Sequence, residues 1–278
     1  MPQQSLQEKA PIQLLPLEPE THDPILLFTM GKVGTKTIEY SLREYGAPHC
    51  IHIAHNLNPL MLQRWRKRIN ERYEDPYIPL EAWHHAWRIR RTVTETLGKK
   101  RWQVISLVRD PVARSLSTYF ENLSYFFANA LERFDAGDLT IDNFIEGFFR
   151  LPPSKFPQGW FDTQMKFVFG IDVYEQPFPK EKGYALYRGK HADLLVLRLE
   201  DVHRCAPHAM KQFLGLDTFS IASDNRAQEK PYAALYKESK EHIRFPVQIL
   251  NRIYNGTILR HFYSAEEIQT FRSQYHIQ

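Results

Sequence analysis

Cysteine is scarce: Cys50 and Cys205 are the only two in 278 residues. Two such residues cannot build a disulfide framework, and they fit a reducing cytosol, so a cytoplasmic location is expected. Neither has metal-ligand spacing around it, no convincing set of His, Cys and carboxylate ligands stands out elsewhere, and no metal is expected. Long apolar runs are also missing. No stretch approaches the roughly 20 residues that span a bilayer. Met1 to Glu20 is polar and Gln/Pro-rich, without the apolar core of a signal peptide. There is no internal repeat and no low-complexity tract. The net charge of +4 is mild. It suits an anionic ligand or an acidic glycan and does not demand nucleic acid, so no nucleic-acid partner is expected.

What is present reads as one α/β body. The chain is long enough to bury a sizeable core, and its 43% hydrophobic content is ordinary for a globular protein. Residues 1–23 read as an irregular lead-in, and 24–278 as a single domain whose last part, from about 226 onward, is helical. Apolar runs at 25–29, 50–54, 102–108 and 193–199 predict strands. Helices are predicted over 35–45, around Trp65 to Arg68, and over 80–97, 111–131, 139–149 and 164–169. Three more are predicted at 232–244, 247–255 and from the capping box Ser264-Ala265-Glu266-Glu267. Trp83 and Trp87 stand four residues apart on one helix and should pack inward. The alternation predicts a P-loop-like three-layer sandwich, with a central parallel sheet covered on both faces and additional C-terminal helices. Ligands of such sheets bind beyond the carboxyl ends of the strands.

Two strand ends carry anion-binding signatures. Thr29-Met30-Gly31-Lys32-Val33-Gly34-Thr35-Lys36-Thr37 follows the run Ile25 to Phe28. Val108-Arg109-Asp110-Pro111-Val112-Ala113-Arg114-Ser115-Leu116-Ser117 follows the run Val104 to Leu107. In each, a buried strand breaks into a turn and then a helix, where free backbone N–H groups and the positive end of the helix dipole face the same way. Two such turns in one domain suggest a ligand with two separated phosphates. The first is not a Walker A loop. That motif needs Gly just before its Lys-Ser/Thr pair and again five residues earlier, where this chain has Thr35 and Met30. Asp110-Pro111 alone also reads as an N-cap followed by Pro in the first helical turn, which needs no ligand.

Taken as Lys-x-Gly-Thr-x-Thr, the first turn resembles the 5′-phosphosulfate loop of sulfotransferases that use 3′-phosphoadenosine 5′-phosphosulfate (PAPS), which carry a similar Lys-x-Gly-Thr-Thr core. The second resembles their 3′-phosphate loop, Arg-[Asp/Asn]-Pro-x-x-Arg-x-x-Ser, with Arg109 and Ser117 in the two phosphate-holding places. Lys36 departs from the pattern, standing where a second hydroxyl often follows Thr35; it either adds charge near the phosphosulfate or points outward. Other pieces are similar to a bacterial capsular polysaccharide synthesis group that is itself sulfotransferase-like. They include His55-Asn56-Leu57-Asn58-Pro59, Trp160-Phe161-Asp162, Leu197-Arg198-Leu199-Glu200-Asp201 and Lys230-Pro231-Tyr232, and the likeness runs over most of 25–275.

The resemblance implies a metal-independent, in-line transfer of the sulfuryl group of PAPS to a hydroxyl of a glycan or similar polar acceptor, leaving adenosine 3′,5′-bisphosphate. Lys32, Val33, Gly34, Thr35, Lys36, Thr37, Arg109 and Ser117 would bind the co-substrate, and Lys32 would meet the charge that builds on the bridging oxygen. Related enzymes draw their base from a His or Glu soon after the second strand. Here His55, at the strand exit, stands first and His52 in reserve. Glu121 and Asp162 are polar alternatives. Glu200 should brace the sheet end, and Lys230 reads either as a 3′-phosphate contact or as a surface residue. Tyr119, Phe120, Tyr125, Phe126 and Phe127 are expected on one helix and mostly in the core. Two other readings stay open: a nucleotide-dependent kinase of the same sheet architecture, and a non-catalytic nucleotide-binding assembly protein of polysaccharide synthesis.

Overall fold

The computed structural model describes residues 24–47, 50–71, 80–150, 158–222 and 230–276, the side chains of 68–71 apart. The lead-in expected over 1–23 and the start of the helical part at 226–229 lie outside the described residues. Five strands form one sheet in the order β2-β1-β3-β5-β4. They are β1 (Ile25–Phe28), β2 (Ile51–Ala54), β3 (Trp102–Val108), β4 (Tyr184–Arg188) and β5 (Ala192–Arg198). β1 pairs in parallel with β2, Ile25 opposite Ile51, and with β3, Ile25 opposite Gln103. β3 pairs in parallel with β5. All four side chains of β1 are fully buried, as a central strand covered on both faces requires.

The sheet is therefore mostly parallel, with one correction. β4 runs antiparallel to β5 at the edge, Tyr184 opposite Leu197. Its alternation is short and Leu186 is exposed, so it carries no long apolar run to mark it. The first three helices are α1 (Thr35–Glu44), α2 (Pro59–Glu71) and α3 (Leu80–Thr96). The α3 face that is buried is Ala86, Ile89 and Val93. Trp83 and Trp87 are only half-buried: they stack edge-on at 5.8 Å, and Trp83 Nε1 donates to the Leu62 carbonyl of α2. Trp83 ties α3 to α2, and neither ring belongs to the main core.

The helix expected over 111–131 is three: α4 (Pro111–Glu121), α5 (Leu123–Phe126) and α6 (Ala130–Asp135). Asn122 leaves helical geometry at φ −115° and Asn129 takes the left-handed φ of 52°, a conformation Asn tolerates better than most residues. The five aromatics are thus split. Tyr119 and Phe120 are buried, while Tyr125 is exposed. After α7 (Ile141–Phe149) comes a π-helical stretch, Phe161–Lys166, running into α8 (Phe167–Phe169), where an ordinary short helix was expected. α9 (Val202–Leu214) packs on β4 and β5 and was not foreseen. The C-terminal part holds α10 (Ala233–His242), α11 (Val247–Tyr254), α12 (Thr257–Phe262) and α13 (Ala265–Ser273). The Ser264–Glu267 capping box forms as expected, with the Ser hydroxyl accepting from Glu267 N and the Glu267 carboxylate accepting from Ser264 N.

Candidate functional site

Both strand-to-helix turns singled out in the sequence sit at carboxyl ends of neighbouring strands, β1 and β3. They touch directly: Arg109 Nη1 donates to the Lys32 carbonyl at 3.0 Å. The first turn owes its shape to two residues in left-handed geometry, Lys32 at φ 69° and Gly34 at φ 90°. Gly34 is the N-cap of α1 and offers no side-chain cap. Its positive φ favours Gly whatever the space, and a Cβ there would also meet the tip of the Leu199 side chain, which would have to move. Val33 is fully buried and Thr35 nearly so, Lys36 is exposed and pairs with Glu39 of its own helix at 2.7 Å, and Thr37 is half-buried. Lys36 therefore points outward, the second of its two expected readings.

The Thr35 hydroxyl is not an open phosphate ligand in this arrangement. It lies 2.7 Å from Thr29 Oγ1, which is itself 3.3 Å from His55 Nδ1. His55 Nδ1 also lies 2.9 Å from the Thr29 carbonyl. A carbonyl only accepts, so Nδ1 carries the proton and Nε2 keeps its lone pair. Burial of the Nδ1 edge lowers the His55 pKa against the opposing Thr29 bond, and the charges of Arg114, Lys36 and Lys32 lower it further. The residue as a whole is exposed. His52 is different: it is buried on β2, in register with Leu26. The two histidines are not equivalent, and only His55 stands where the chain leaves the sheet.

Residues beyond the predicted set hold His55 in place. Trp160 Nε1 donates to the His55 carbonyl at 3.1 Å, and the Trp160 ring packs on Phe28 with centroids 4.9 Å apart. Gln164, buried in the π-helical stretch, accepts from Leu57 N at 2.9 Å and Asn58 N at 3.1 Å and donates to Asn56 Oδ1 at 2.9 Å. A glutamine more than 100 positions away carries no spacing signal in the sequence, so nothing there could have found it. Beside His55 opens a cavity of about 430 Å³ whose lining includes Ile51, Ile53, Asn56, Trp65 and His85, with Lys36 and Arg43 among its polar residues.

The second turn is built otherwise than expected. The Asp110 carboxylate caps α4 by accepting from Val112 N at 3.3 Å and Ala113 N at 3.0 Å, and takes the Tyr254 hydroxyl at 2.8 Å. Those backbone donors are therefore already used, and guanidinium groups are what remain for an anion. Burial raises the Asp110 pKa against these bonds. Glu200 accepts from Asp110 N and from the Tyr263 hydroxyl, both at 2.8 Å, which is the brace expected of it. Arg109 and Arg114 line a cavity of about 20 Å³ with Met30 and Gln158. That is room for about one water, so a phosphate there requires the cleft to widen. Burial, with Arg109 close by, brings the Arg114 pKa down to about 10. Ser117 is half-buried on α4, and among the described residues no hydrogen bond joins it to Arg109.

Lys32 faces Glu121 at the end of α4, and the same carboxylate oxygen takes Lys230 Nζ at 2.7 Å and the Tyr232 hydroxyl at 3.0 Å. Lys230 is thus neither a solitary surface residue nor close to Arg109's turn by any described bond. Burial alone would raise the Glu121 carboxyl, but the bonds and charges of Lys230 and Lys32 outweigh it and hold it at about 2. A carboxylate so acidic is a poor proton acceptor near neutrality. Asp162 is exposed in the π-helical stretch. Among the described residues, no group of three or more His, Cys, Asp or Glu side chains has a metal-holding arrangement, and no helix is long and apolar enough to cross a membrane.

These features define an α/β protein with a cationic, histidine-containing site at the carboxyl edge of a mostly parallel sheet. Residues 137–264 match the model of a family, NKWYS, described as "Putative capsular polysaccharide synthesis protein". The matched span runs from the residues just before α7 to the residue after Tyr263, and takes in Trp160, Gln164, Glu200, Lys230 and Tyr232. Both strand-to-helix turns and His55 lie outside it. No curated protein and no solved structure matches the chain.

Proposed function

We propose that this protein is a PAPS-dependent sulfotransferase acting on a hydroxyl of a polysaccharide or of a glycan precursor. The observation that carries the reading is the joining of the two turns: Arg109 donates to the Lys32 carbonyl, so one nucleotide could lie across both strand ends. Similarity to a family named for capsular polysaccharide synthesis supports a glycan as acceptor. PAPS supplies an activated sulfuryl group. The backbone from Gly34 to Thr37 would cradle the 5′-phosphate, and Lys32 would face the oxygen on which charge develops. Arg109, with Arg114 in the same small cavity and Ser117 further along α4, would hold the 3′-phosphate. His55 Nε2 would take the acceptor proton, with Thr29 fixing the ring, and the neighbouring cavity gives the acceptor a place to lie.

The test is a thermal-shift series without magnesium. Adenosine 3′,5′-bisphosphate should stabilise the protein well beyond AMP or ATP, since a ligand held at 100 times its dissociation constant adds roughly 2.7 kcal/mol to the folded state. Equal shifts with AMP would mean that no 3′-phosphate is read. A shift with ATP that needs magnesium would favour the kinase reading instead.

A further inference from the structure

One oxygen collects three donors beside the β1–α1 turn. Glu121 Oε2 accepts from Lys32 Nζ, from Lys230 Nζ at 2.7 Å and from the Tyr232 hydroxyl at 3.0 Å, and Lys230 Nζ also lies 2.9 Å from Tyr232 Oη. The donors arrive from separate parts of the chain. Lys32 comes from the turn, and Lys230 and Tyr232 from the residues leading into α10. Two ammoniums and a phenol converging on one point supply the charge-assisted bonds that an oxyanion seeks.

Glu121 is poorly suited to hold that place for good. It is the last residue of α4, where the outward carbonyls give the helix its negative end and disfavour a carboxylate. Its side chain is 43% exposed, and ion pairs so open to water are weak. Burial disfavours the charge on Lys32, and Lys230 beside it adds to that against the support of Glu121. A terminal phosphate, or a phosphosulfate with one charge on its sulfuryl and one on its phosphoryl half, is dianionic and would balance both ammoniums better than a single carboxylate does. Lys32 meanwhile sits on a strained turn whose backbone is pinned by Arg109, so its ammonium stays in reach whichever anion is there.

We propose that Lys32, Lys230 and Tyr232 form a binding site for a sulfuryl or phosphoryl oxyanion, and that Glu121 is its internal counter-ion, giving up the three donors when such a group arrives. The proposal deepens the reading of Lys32 as the residue facing the transferred group, and it does not depend on which nucleotide bears that group. Glu121 then keeps the lysines paired while no ligand is bound, and competes with weak anions for them.

The experiment is isothermal titration of the full chain with inorganic pyrophosphate at low ionic strength, for the parent, Glu121→Gln and Lys230→Met, with adenosine 3′,5′-bisphosphate and AMP run beside it. Glu121→Gln keeps the shape of an exposed side chain and removes the competing charge. It should bind pyrophosphate about two- to fivefold more tightly than the parent, the factor that losing an exposed ion pair represents. Lys230→Met should bind it more weakly. The site is overturned if Glu121→Gln binds pyrophosphate no better than the parent, or if Lys230→Met binds it equally well, whatever the nucleotides do. If both variants behave as expected but the bisphosphate is not preferred over AMP, the oxyanion site stands and the sulfotransferase reading falls.

Discussion

Lys32 and Arg109 touch each other, yet their losses should be felt differently. Arg109 would contact a phosphate present throughout the reaction, so Arg109→Ala should weaken bisphosphate binding and transfer alike. Lys32 would hold the transferred group from the start and meet the further charge that grows as the S–O bond breaks, so Lys32→Ala should weaken oxyanion binding modestly and fall mainly on turnover. Near-normal turnover of Lys32→Ala at saturating PAPS would remove it from the chemistry. His55 carries a pH prediction. Its pKa is lowered by burial of the Nδ1 edge and by Arg114, Lys36 and Lys32. The base form should therefore persist below the ordinary histidine value of about 6.5, and the transfer rate should already be on its plateau at neutrality and drop only on the acid side of that value. The stability term has the same direction. The unfolded histidine takes up its proton before the folded one does, so this residue favours folding at neutral pH and loses that contribution as pH falls below about 6.5. His55→Ala should keep bisphosphate affinity and lose on the order of 100- to 10,000-fold in rate. A rate that halves only near pH 8 in the parent, or an active His55→Ala, would send the search for the base elsewhere.

At the scale of elements, the glycine at the start of α1 joins sequence to site. Gly34 has φ 90° and its Cα faces Leu199, which follows β5. Gly34→Ala should destabilise the fold by about 1–3 kcal/mol, through a strained backbone and overpacking, and should weaken bisphosphate binding as the turn shifts. Urea melts beside titrations would check it, and an unchanged midpoint would show that Leu199 simply yields. This turn was legible in the sequence because a wholly apolar run ended in a Gly-containing, hydroxyl-rich segment, which is a local pattern. So were the strands β1, β3 and β5 and the Ser264 cap. β4 was not legible, being an edge strand with alternating exposure and no long run. Nor was the break of the long helix after Glu121, because the apolar aromatics continue across Asn122 and mask it. The support of His55 was least legible of all. Trp160 and Gln164 reach it from a π-helical stretch far along the chain, and Asp110 spends on its own helix the backbone donors expected for a phosphate.

Across the whole molecule, two of the charged junctions that tie the C-terminal part to the sheet end are of opposite character. The first is buried. The Arg198 side chain, 2% exposed at the end of β5, pairs with Asp201 and with Glu267 of α13, donates to the Phe262 carbonyl at 3.2 Å, and lies 5.2 Å from the centre of the Tyr263 ring. The second is the exposed meeting of Lys230 with Glu121. Removing Arg198 leaves Asp201 to its pair with Arg204 and the half-exposed Glu267 to the Ser264 N–H, so the loss should lie below the about 3–5 kcal/mol typical of a fully buried pair and above the about 0–1 kcal/mol of an exposed one. Arg198→Met should therefore lower the urea midpoint clearly, even though the new side chain is apolar and of similar length. Lys230→Met should leave the midpoint nearly unchanged. Ligand binding should sort the two variants the other way: folded Arg198→Met should still bind adenosine 3′,5′-bisphosphate, because Arg198 braces the α12–α13 junction and is bonded to neither turn, while Lys230→Met should bind oxyanions less well. Urea unfolding and bisphosphate titration on both variants provide the check. A large loss of stability in Lys230→Met would make its junction with Glu121 a structural tie after all, and would remove the physical reason for expecting a ligand to displace it.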